Sequence, residues 1–193
     1  MTHDTAALRS CFAREPYRSA ILAVWRAVTV EGVLAHFVAG ASTSRALAEG
    51  AATNTDDRTR IEFGFARTLG NDAYFQVDDL RELARRRRDD LPRLSGPFDA
   101  RLVEDRRVSL AASGGPSAAF METLTPDRRL RASAYAAHAR GEHSESLRAW
   151  AAQKRRPTDP TDLLTFAESY AMRGNDAVLP YIAELRPFKP AEA

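Results

Sequence analysis

Lysine is nearly missing from this chain. Of 28 basic residues only Lys154 and Lys189 are lysines, and the rest are arginine. With abundant alanine, this points to a GC-rich genome rather than to a surface selected for nucleic acid, so a single arginine carries little information. The net charge of +2 implies no strong field. One cysteine, Cys11, excludes an internal disulfide and any multi-cysteine metal site. No apolar run approaches the roughly 18 residues of a membrane span; the longest, Ala20 to Trp25, suits a helix face. No basic segment followed by an apolar stretch opens the chain, so the expected compartment is the cytoplasm, or the soluble part of a membrane-associated protein. There is no glycine-rich loop between a strand and a helix. Gly114-Gly115 is followed by proline and reads as a linker, so no cofactor is expected.

Strands are scarce too. One stretch alternates convincingly: Ile61, Phe63 and Phe65 against Arg60, Glu62 and Gly64, a half-buried strand over 60–66. Tyr74 to Val77 is the other, shorter candidate. A lone strand leaves its backbone edge unsatisfied, so Ile61, Phe63 and Phe65 are candidates for an interaction surface.

What is present is helical periodicity. Leu8, Cys11 and Phe12 mark a short first helix. Tyr17, Ile21, Val24, Trp25 and Val28 form one face of a second, opened by Pro16. Thr29 caps a third helix, with Val33, Leu34, Phe37 and Val38 inward. A fourth segment runs from Ser44 to Ala48. Asp78 is a candidate N-cap for a helix whose last turn carries Arg85 to Arg88, bracketed by Asp78, Asp79, Glu82, Asp89 and Asp90. That pattern reads as a solvated helix end complementing the dipole, and no nucleic-acid partner is expected. A further helix spans 99–112, with Leu102, Val103 and Leu110 on one side.

Ser113 to Ser117 is the best linker. Beyond it Thr125-Pro126 and Asp159-Pro160 are 34 residues apart, each a capping residue before proline. The glycine turns at Gly141 and Gly174 lie 33 apart. A period near 34 is that of tetratricopeptide helix–turn–helix units. Leu130, Ala134 and Ala137 pair with Leu147, Trp150 and Ala151 in the first unit. Leu163, Phe166, Ala167, Tyr170 and Ala171 pair with Val178, Tyr181, Ile182 and Leu185 in the second. Pro180 fits only if it lies in the first turn of its helix. The expected fold is mainly all-α: a helical region with one short strand (1–112), a linker (113–124), and two degenerate tetratricopeptide-like repeats (125–193).

Candidate sites are few. His3, His36, His138 and His143 form no metal-binding pair at helical spacing. Cys11 reads as a small core residue. Asp56, Asp57 and Glu62 could attract a polyamine, or could supply the turns and caps that such residues favour beside Arg58, Arg60 and Arg67.

The run Asn54-Thr55-Asp56-Asp57-Arg58, then Ile61-Glu62-Phe63 and Ala66-Arg67, resembles a signature of bacterial spermidine-synthase-like proteins, the large ones often fused to a membrane transporter-like half. The stretches EPYRSAILAVWR and VEDRRVSL extend the likeness along the chain. In that family the signature follows the catalytic Rossmann domain and precedes a tail of tetratricopeptide-like helices. The family's acidic catalytic motifs are absent from this sequence, and the resemblance implies that the catalytic domain lies before residue 1 and that the chain is not an enzyme in isolation. Two functions stay open. One is a non-catalytic accessory scaffold making intramolecular or protein–protein contacts, with the missing catalytic domain, another protein or a second copy as partner. The other is a contribution of Asp56, Asp57 and Glu62 to an amine site completed by a separate catalytic domain.

Overall fold

The computed structural model describes residues 2–49, 77–153 and 156–188. In chain order these form β1 (His3–Asp4), α1 (Thr5–Phe12), α2 (Tyr17–Trp25), α3 (Val30–Leu34), α4 (Ala41–Ala48), α5 (Val77–Arg86), β2 (Leu94–Ser95), α6 (Ala100–Ser113), α7 (Ala118–Thr123), α8 (Pro126–Ala139), α9 (His143–Ala151), α10 (Pro160–Ala171), a 3-10 turn (Asp176–Val178) and α11 (Leu179–Leu185). The fold is all-α, and the strands among the described residues are the two-residue pair β1–β2. The strand expected over 60–66 lies outside the described residues. No helix among the described residues is long and apolar enough to cross a membrane.

The chain groups into two compact units, one of residues 1–3 and 37–94, the other of residues 4–36 and 95–193. The segment 113–124 holds the short helix α7.

In the first unit α4 starts at Gly40, which has no side chain to cap it. Asp89 does so from a distance: its Oδ2 accepts from the Thr43 amide at 2.7 Å, and its carbonyl accepts from the Gly40 amide at 2.7 Å. The run of arginines does end a helix. Arg85 and Arg86 form the last turn of α5, and Arg86 pairs with Glu82 at 3.2 Å.

The second unit is built on α10. Asp162 through Ala167 are all buried, because α8, α9 and α11 surround this helix. Burying side chains such as Leu163, Leu164 and Phe166 contributes roughly 1.5–3 kcal/mol each. Two clusters result. Val108, Ala132, Ala134, Tyr135, Trp150 and Phe166 join α6, α8, α9 and α10. Leu163, Leu164, Ala167, Val178 and Leu185 join α10 to α11. Ala134 and Ala167 are buried as expected, while Ala151 and Ala171, expected inside, are exposed. Gly141 and Gly174 turn the chain between paired helices with φ of 76° and 61°, a region that glycine enters without Cβ strain. Pro180 falls in the first turn of α11, where no amide hydrogen bond is lost.

Candidate functional site

Asp56, Asp57 and Glu62, and the apolar trio Ile61, Phe63 and Phe65, lie outside the described residues. Cys11 is half-buried and free. His138 and His143 come together, ring centroids 5.4 Å apart, but no group of three or more His, Cys, Asp or Glu side chains among the described residues is placed to hold a metal ion.

The chemistry in the second unit centres on residues that periodicity did not single out. Arg106 on α6 stands on the same helix face as Val103 and Leu110, and it is buried. Its Nη1 donates to Asp162 Oδ1 at 3.0 Å and to the Tyr135 hydroxyl at 2.9 Å. Tyr135 in turn donates to Asp162 Oδ1 at 2.7 Å, and Arg131 Nη1 donates to Asp162 Oδ2 at 2.6 Å. The second Arg106 nitrogen pairs with Asp159, which also caps α10 by accepting from the Thr161 amide at 2.9 Å. Two guanidinium groups thus face two carboxylates, with one phenol between them. Burial, the largest cause, and the neighbouring Asp162 charge push the Tyr135 phenol up to about 12. A charged residue on an otherwise apolar stripe was the available signal, since a buried arginine requires a buried acid.

Arg131, Asp159 and Asp162 of this network line a cleft of about 870 Å³, formed from the N-terminal halves of α6, α8 and α10 and from the loop before α10, with Arg106 and Tyr135 behind them. The cleft carries both signs of charge. Arg128 pairs with Asp105 at 2.8 Å, and Arg101 approaches the same carboxylate at 3.7 Å. Arg156 pairs with Glu184, and that hydrogen bond holds its pKa above the ordinary value. Asp127 is exposed and has no ion-pair partner among the described residues. The buried Gln153 Nε2 has no hydrogen-bond partner among them either.

A serine, a histidine and a glutamate also fall in line. His138 Nδ1 lies 3.1 Å from Ser169 Oγ, and its Nε2 lies 3.1 Å from Glu168 Oε2. The order resembles a nucleophile, base and acid, but the serine is in the wrong place for that chemistry. Ser169 is 0% exposed, and its hydroxyl donates to the Thr165 carbonyl at 2.9 Å. It cannot reach a substrate, so the trio ties α8 to α10 rather than forming a hydrolytic centre.

No protein-family model, curated protein or solved structure matches this chain.

Proposed function

We propose that this chain is a non-catalytic helical scaffold that docks a partner polypeptide in the mixed-charge cleft. The observation that carries this reading is the division between a fixed floor and an exchangeable rim. The Arg106–Tyr135–Asp162–Arg131 network commits its donors and acceptors to one another, which leaves no free base or nucleophile there. Arg128 and Asp127 on the rim, by contrast, border solvent. Interleaved charges of both signs select a partner by the penalty on mismatched pairs and speed its encounter.

The paired helices α8–α9 and α10–α11 support the same reading. Capping residue, proline and glycine turn recur at tetratricopeptide-like spacing, and such hairpins stack into docking surfaces. On the resemblance of the 54–67 stretch, the natural context is the accessory region of a spermidine-synthase-like protein, and the partner is its catalytic domain or a protein docked beside it. The test is a calorimetric titration of the purified chain with decarboxylated adenosylmethionine and with putrescine, alongside an aminopropyl-transfer assay. The scaffold reading predicts no saturable donor binding and no turnover. Turnover by the chain alone would overturn it and favour an amine site that includes Asp56, Asp57 and Glu62.

A further inference from the structure

Helix α2 is apolar without being buried. Seven of its nine residues, YRSAILAVW, are apolar, and none is buried. Val24 is 75% exposed. A helix of this composition normally covers its apolar face. Here Ile21 and Leu22 turn instead toward a cavity of about 410 Å³, shared with Phe12, Val28, Val30 and Phe188. Small-molecule sites typically span about 300–1,000 Å³, with apolar walls and a few placed polar groups.

The polar groups here are Arg9, Arg18, Glu31 and Thr29, the last of which caps α3 by accepting from the Gly32 amide. Arg9 is committed: its Nη2 pairs with Glu31 Oε1 at 2.7 Å, and its Nη1 donates to the Pro97 carbonyl at 2.9 Å. Arg18 donates to the Pro187 carbonyl and forms no ion pair among the described residues. The acid nearest to it in sequence, Glu15, is held by Ser19, whose hydroxyl donates to it at 2.6 Å. Arg9 and Glu31 cancel, so among the described lining residues the remaining charged group is Arg18. After the Ser19 hydrogen bonds, its charge also helps lower the pKa of Glu15 outside the cavity, and its N–H donors are only partly taken by Pro187. A guanidinium with free donors matches a carboxylate in bidentate geometry.

We propose that this cavity binds a free medium-chain alkyl carboxylate, separate from the docking cleft and independent of its function. The chain lies against Ile21, Leu22 and Phe12 and covers the apolar side of α2. The carboxylate meets Arg18.

The test is calorimetric titration of the full chain with decanoate, decanol and decyltrimethylammonium, and cosedimentation with phosphatidylglycerol vesicles. Decanoate binds with one-to-one stoichiometry below its micelle concentration, about tenfold or more tighter than decyltrimethylammonium. Arg18→Gln weakens decanoate and leaves decanol unchanged. Leu22→Trp, which fills the cavity, removes binding of both, with circular dichroism showing the helices intact. If Leu22→Trp fails to fold, Ile21→Trp takes its place, and the exposed Arg18→Gln variant decides the charge requirement independently. No saturable decanoate binding, equal affinity for the cationic amphiphile, undiminished binding by a folded cavity-filling variant, or association with vesicles alone would each overturn the proposal.

Discussion

Replacing Asp162 by asparagine keeps the shape of the side chain and removes its charge. In the native protein Asp162 is 2% exposed, and its carboxylate receives Arg106, Arg131 and the Tyr135 hydroxyl. The amide of asparagine would place donors against guanidinium donors, with little water to screen them. Breaking one side of a buried ion pair typically costs about 3–5 kcal/mol. Arg106 keeps Asp159, so the lower end applies, about 3 kcal/mol. With a urea m-value of roughly 1–3 kcal/mol/M, the unfolding midpoint should fall by about 1–3 M. Both tryptophans, Trp25 and Trp150, belong to the second unit, and Trp150 lies 5.9 Å from the Tyr135 ring. Tryptophan fluorescence therefore reports the transition of the perturbed unit. Adding Arg131→Gln should recover part of the loss, because it removes the cation left without its partner. A loss under about 1 kcal/mol, the scale of exposed pairs, with no recovery in the double variant would refute the network's role.

The Tyr135 phenol should be the last tyrosine to ionise, near pH 12, by ultraviolet difference absorbance, and Tyr135→Phe should remove that step. The sign follows from a raised acid: the phenol's contribution to stability is complete below the unfolded value of about 10 and is lost as pH rises from there through about 12. In the other unit, an added Cβ at Gly40 would lie 2.2 Å from Asp89 Oδ1. Gly40→Ala should displace the Asp89 cap and raise amide exchange across α4, read by mass spectrometry. Asp99→Ala should lower stability by about 0.5–2 kcal/mol in urea unfolding, because Asp99 caps α6 through the Leu102 amide at 3.0 Å. Thr125→Ala should change little, because Thr125 makes no side-chain cap bond.

Local rules were the most legible part of the sequence. Thr29, Asp99 and Asp159 cap helices because a short side-chain oxygen reaches the next turn's amides, a constraint visible within four residues. The proline and glycine marks of α8 to α11 are local in the same sense. The outward face of α2 was not legible, because its periodicity gives a buried stripe but cannot supply the surface to bury it. The short helix α7 was hidden by the glycines before it, although Ser117 caps it through the Phe120 amide at 3.1 Å. The central network was missed for a different reason. Arg106, Arg131, Tyr135 and Asp162 come from three helices and up to 56 residues of separation, so no motif joins them. The acids and aromatics that carry the family resemblance fall outside the described residues, and their roles stay with the proposal.

The scaffold claim is tested most directly by photo-crosslinking from inside the cleft. A benzophenone side chain at Arg128, on the cleft wall, is compared in native cells with one at the exposed Glu122, outside it. One defined protein adduct is expected from position 128 and none from 122, with loss of that adduct when Asp127→Lys and Arg101→Glu reverse the rim charges. Adducts of equal yield from both positions, or an adduct from 128 that survives the charge reversal, would contradict it.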